Sequence, residues 1–183
     1  MTTASAPTQT AVTGERADLL EILRTRRHFL RYATDGLTDE QAAAAPTVSE
    51  LCIGGLVKHV SKVESAWVDF LLGNGSSLTA EKSWDEWGPE DWAARAAEFQ
   101  LLPGETLAGI LDEYEQVAAR TDEQVVEVPD LNATQLLPTA PWFEPGSVRS
   151  ARQVLLHIAA ETAQHAGHAD IIRETIDGQK SMG

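Results

Sequence analysis

Apolar residues recur at spacings of three and four along four stretches of the chain, the pattern of amphipathic helices. In the first, Leu19, Ile22, Leu23, Leu30 and Ala33 share a side with Arg26, which predicts a helix over residues 15–33 stopped by Gly36. Arg24, Arg26, Arg27 and Arg31 fit its outer edge, and His28 lies opposite the stripe. Thr38 followed by Gln41 is a capping signal, and it opens a short alanine-rich turn that Pro46 stops. The second long stretch runs from near Ser49 to Gly73-Asn74-Gly75, with Ile53, Leu56, Val57, Val60, Val63, Trp67, Phe70 and Leu71 on one side. His59 falls at the edge of that stripe and can point inward, whereas Lys58 and Glu64 are placed for solvent.

From Ser76 to Pro103 the periodicity breaks. Trp84, Trp87 and Trp92 stand among Asp, Glu, Gly and Pro, and Pro89-Glu90-Asp91 can start a short helix that reaches Glu98. Such a connector reads first as a loop pinned onto the core and second as a platform on which a substrate stacks. A third helix fits residues 105–124, burying Leu107, Ile110, Leu111, Tyr114, Val117 and Ala118. Residues 129–146 hold four prolines and read as an ordered loop anchored by Leu136, Leu137, Trp142 and Phe143. The fourth helix starts at Ser147 or Ser150 and runs to Ile176, ahead of Asp177-Gly178. The one strand-like run is residues 124–128.

Four long helices with unequal connections predict an all-α fold, a four-helix bundle with long connecting loops. The bundle would be a single domain over residues 14–178, between a disordered N-terminal tail (residues 1–13) and a C-terminal tail (residues 179–183).

Composition narrows the function. The 183 residues carry 28 acidic and 14 basic side chains, a formal net charge of −14, which argues against a nucleic-acid partner. The single cysteine, Cys52, excludes an intrachain disulfide and suits a reducing cytoplasm; it reads as a packing residue rather than a nucleophile. Residues 1–13 lack the basic start and apolar core of a signal peptide, and no apolar run approaches the ~20 residues that span a bilayer.

The chemistry gathers in the last helix, where His157, Glu161, His165 and His168 form H-x3-E-x3-H-x2-H. At about 100° per residue these side chains fall within an arc of roughly 80°. Val154, Ile158, Ile172 and Ile176 share that arc or its edge, so Glu161 and His165 belong to the apolar stripe. Burying each unpartnered would cost on the order of 2–7 kcal/mol. A shared cation would satisfy both, with His59 as third ligand and a position left open for water or substrate. A Glu161–His165 ion pair without metal is the alternative. His157 and His168 read as a fourth ligand, as supporting hydrogen-bond partners, or as satisfied core histidines.

Residues 152–174, with those four polar positions, resemble the last-helix signature of the DinB/YfiT-like superfamily. They are most similar to its mycothiol-transferase-like branch, related to the metal-binding domain of mycothiol-dependent maleylpyruvate isomerase. Residues 56–64, centred on His59, resemble the second-helix motif of the same family, and the resemblance extends over about residues 18–178. It implies a four-helix bundle holding a divalent metal on His59, Glu161 and His165; by ligand type zinc or nickel suits that set first, with iron and manganese also compatible. Gln153 departs from the branch, which usually shows Trp there, and that departure bears on loop packing and pocket shape.

The resemblance implies a metal-dependent transferase in which a low-molecular-weight thiol, mycothiol, conjugates or isomerises an electrophilic small molecule in the cytoplasm, a detoxification chemistry. It also allows a homodimer. A metal-dependent hydrolase of a small amide or ester is the second reading. A non-catalytic stress-response module, its metal site closed by His157 or His168, is the third. Trp142, Arg149 and Arg152 are candidates to line a pocket near the start of the last helix.

Overall fold

Four long helices form the frame of the computed structural model, which describes residues 12–80 and 82–181: α1 (Glu15–Tyr32), α3 (Ile53–Leu71), α5 (Leu107–Glu127) and α6 (Ala151–Asp177). Two short helices, α2 (Asp39–Ala43) and α4 (Pro89–Ala97), lie in the connections, and β1 (Thr134–Leu136) pairs antiparallel with β2 (Val148–Ser150). The expected tail thus lies, through residue 11, outside the described residues, whereas Val12 packs on the core. Gln179 and Ser181 bond back to Arg173 and Asp170 of α6.

Side-chain bonds between helices fix their directions. Arg152 at the start of α6 bonds Glu15 at the start of α1, and Arg173 near the end of α6 donates to the carbonyls of Ala33 and Asp35 at 3.0 and 2.8 Å. These two helices are therefore parallel. Lys58 reaches Glu105 just ahead of α5, and Arg120 further along α5 pairs with Asp69 near the end of α3, so α3 and α5 are parallel too. α1 packs on α5 and α3 on α6 with opposite directions. Parallel neighbours cannot be joined by a tight turn, so the chain between α3 and α5 must travel the length of the bundle. Residues 72–106 make that journey.

Local chemistry sets the helix ends. Ser49 does not begin α3. Its hydroxyl accepts from the amide of Leu51, a turn that competes with helix, and the start passes to Cys52, whose thiol accepts from the Gly55 amide at 3.4 Å. Cys52 is buried, as its reading as a packing residue requires. Thr38 and Gln41 form the expected capping box. Ser150 and Gln153 form another at the start of α6, so the departure at Gln153 serves as a helix cap. Residues 124–128 are not a strand, because Val125 packs into the core as the last turn of α5. The two real strands lie in and just beyond the proline-rich loop, where Leu137 is buried but Leu136 is exposed.

The core has two apolar halves. One gathers Leu19, Leu23, Trp67, Val68, Leu155 and Ile158; the other gathers Leu30, Ile53, Leu56, Val57, Tyr114 and Ile172. Arg27 and Glu64 lie between them in sequence and are both buried, contrary to the expectation that each faces solvent. Arg27 forks onto Glu64 at 2.5 and 3.3 Å and reaches Asp122 of α5 at 2.8 Å. Helical periodicity cannot distinguish a solvated charge from one whose counter-charge comes from another helix. Lys58 is likewise half-buried, held by Glu105 at 2.7 and 2.8 Å.

Removing one member of a buried pair strands the other. We expect Arg27→Met to cost about 3–5 kcal/mol in urea unfolding, since it leaves Glu64 without a counter-charge. Glu64→Leu should cost less, because Asp122 still takes Arg27. The double variant should regain part of the Arg27→Met loss, measured as a coupling energy in a double-mutant cycle.

Candidate metal centre and its pocket

His59, Glu161 and His165 come together where α3 crosses α6. One ligating atom from each lies within 4.8 Å of the others. Nε2 of His165 is 3.7 Å from Oε2 of Glu161, and the rings of His59 and His165 meet edge to face with centroids 4.9 Å apart. The i, i+4 spacing on α6 stacks Glu161 beneath His165, and the antiparallel approach of α3 brings His59 to the same level. His59 and His165 are buried; Glu161 is at the margin, with 28% of its side chain exposed toward a pocket.

The donor set fits a divalent cation of intermediate softness: two imidazoles and one carboxylate, open on the pocket side. Burial first, then the nearby charges of His165 and Arg95, push the His59 pKa down to about 4, which keeps its ring neutral at physiological pH. The His165 ring beside it, 3.7 Å away, outweighs partial burial and lowers the Glu161 pKa, so the carboxylate stays ionised. Both groups are therefore in the protonation state that ligation demands.

The other two histidines of the motif stand outside this trio. His157 Nε2 is 3.8 Å from the second oxygen of Glu161, and its ring packs on Trp67 at 4.9 Å. Burial lowers its pKa. His168 sits behind His165, Nδ1 to Nδ1 at 3.4 Å, where a hydrogen bond orients the ring. Among the described residues the group that can hold an ion is the trio alone, the open three-donor pattern rather than a closed four-donor one.

Sequence periodicity missed how His59 is covered. Phe99, from the connector, stacks on its ring at a centroid distance of 4.1 Å. That contact depends on Gly55, where a Cβ would stand 1.8 Å from the Phe99 carbonyl oxygen. Lys58 reinforces it through the carbonyls of Ala97 and Gln100, both at 3.4 Å. The one available sequence signal was the Gly54-Gly55 pair in the first turn of a helix, a costly choice unless another backbone comes close.

Beside the centre opens a cavity of about 800 Å³, with α3 and α6 as one wall and the connector as the other. Trp142 and Arg149 line it, as expected; Arg152 does not, being turned toward Glu15 and Asn132. Trp84 and Trp92 are about half-exposed and pack mainly on other indoles. The connector is pinned onto the core through Leu78, Phe99 and Leu101, while its tryptophans form a wall of the cavity.

In metal-free protein the shifted His59 makes stability depend on pH. The unfolded chain takes up a proton near pH 6.5, the folded chain only near 4. This contribution is therefore complete above 6.5 and is lost as pH falls toward 4, by about 3 kcal/mol. Urea unfolding of chelator-treated protein at pH 7 and pH 4 should show a decline that is shallower by about that amount in His59→Asn.

Against known proteins, the model of the family described as mycothiol-S-transferase matches residues 18–178. No curated protein matches the sequence. Among solved structures, the crystal structure of a conserved protein from Enterococcus faecalis superposes with a TM-score of 0.65 at 13% identity, covering 92% of this chain and 100% of that one. At that identity the likeness concerns the fold alone. The match over residues 18–178, together with the helical bundle, places the chain in the mycothiol-S-transferase family of DinB/YfiT-like proteins.

Proposed function

We propose that the chain is a metal-dependent thiol S-transferase, with His59, Glu161 and His165 as the ligands of a divalent cation, zinc or nickel, and mycothiol as the thiol. The observation that carries this reading is the open trio of donors at the side of a large pocket. Family membership supports the choice of thiol. A bound divalent cation supplies one thing here: it holds a coordinated thiol as thiolate at neutral pH.

The chain's own residues do the rest. His59 and Glu161 present lone pairs without first losing a proton. Phe99 shields one face of His59 from water, and His168 orients His165. The pocket places an electrophile beside the open position. In a displacement, the sulfur–carbon bond forms as the carbon–halogen bond breaks, the halide leaves with its electron pair and the thiol proton passes to solvent. In an addition, the sulfur–carbon bond forms, the double-bond electron pair shifts to the neighbouring carbon, and that carbon takes the proton. Cys52 plays no part as nucleophile, because it is buried as the cap of α3.

The test is conjugation of monochlorobimane followed by fluorescence, with mycothiol present, absent or replaced by free cysteine. The rate should require mycothiol and fall about 100-fold or more in Glu161→Gln or on chelation. Thiol-independent cleavage of small esters or amides by the same protein would instead assign it as a metallohydrolase.

A further inference from the structure

The pocket differs in charge from the rest of the molecule. Acidic residues outnumber basic ones 28 to 14 in the chain, yet this cavity is lined by Lys62, Lys82, Arg95 and Arg149 against three acids, Asp91, Glu98 and the metal-centre Glu161. Two of them are neutralised, Lys82 by Asp91 at 2.8 Å and Arg95 by Glu98 at 2.5 Å. Lys62 and Arg149 have no carboxylate partner among the described residues. They come from separate elements that flank the centre. Lys62 stands one turn beyond His59 on α3, and Arg149 sits on β2 just ahead of α6, close enough for its charge to disfavour protonation of His157.

The connector side of the pocket is aromatic. Trp84 lies 4.5 Å from Trp87 and 5.4 Å from Trp142 between ring centroids, and all three line the cavity. Trp92 backs them, 4.8 Å from Trp87. Trp84 and Trp142 are 44% and 47% exposed, so a large indole area is left open inside a concavity. Exposed tryptophan at this density offers stacking surface to a flat ligand. A neutral flat molecule would leave both cations unanswered, and a compact anion would leave the indoles bare.

We infer that this pocket binds an aromatic carboxylate, its ring on the Trp84–Trp142 wall and its carboxylate between Lys62 and Arg149. Such an acid that also carries an activated alkene or a leaving group would be the electrophile, which rests on the transferase reading; the binding of the acid does not.

Titration calorimetry with 2-naphthoate and its neutral counterpart 2-naphthalenemethanol separates the two contributions. It is run without thiol on protein as isolated and on chelator-treated protein, so that coordination of the carboxylate by a metal does not stand in for the cations. In both preparations the acid should bind about tenfold or more tightly than the alcohol. Lys62→Met and Arg149→Gln should each weaken the acid about fivefold and leave the alcohol within about twofold. Trp84→Ala should weaken both ligands. Equal affinity for acid and alcohol, an acid preference that vanishes with chelation, or no binding of either would overturn the inference. None of those results bears on thiol-dependent conjugation, and loss of conjugation with this binding intact would remove only the name of electrophile.

Discussion

α3 and α5 run side by side in the same direction, and much of the molecule follows from that constraint. A chain that leaves the end of α3 must return the length of the bundle before α5 can start, and residues 72–106 cover that distance along the side where α3 meets α6. The crossover is therefore available as the second wall of a pocket whose first wall carries His59 and Glu161. It brings the tryptophans, and it delivers Phe99 onto His59. Gly55 permits that approach and Lys58 secures it.

Polar groups inside the bundle are resolved in two ways. Arg27, Glu64 and Asp122 satisfy one another across three helices, which fixes the helices' relative register at the expense of a charged pair removed from water. His59, Glu161 and His165 are only partly satisfied by each other. Their closest ring-to-carboxylate approach is 3.7 Å, too long for a hydrogen bond, and His59 is held neutral rather than paired. Incomplete pairing of three good ligands is what a cation would complete.

Where a residue's role is set within its own helix, the sequence was readable. The stripes of α1, α3, α5 and α6 appear where periodicity puts them, with Gly178 in the left-handed conformation ending α6. The alignment of Glu161 and His165 depends only on 3.6 residues per turn, and the inward turn of His59 depended on one edge position. What periodicity could not reveal comes from partners distant in sequence: Glu64 buried by Arg27, Lys58 by Glu105, and Phe99 lying over His59. The strands at 134–136 and 148–150 were hidden for a related reason, since three-residue segments carry no alternation long enough to register.

The central claim is that these three side chains form one binding centre for a metal ion. Its most direct test is bound metal per chain, measured by inductively coupled plasma mass spectrometry on protein purified without chelator, beside His59→Ala and His165→Ala. The account predicts close to one zinc or nickel ion per chain in the wild type and loss in both variants that remain folded by circular dichroism. A folded wild type that carries no metal, and takes up neither ion when offered, would contradict it and leave Glu161 and His165 as an ion pair.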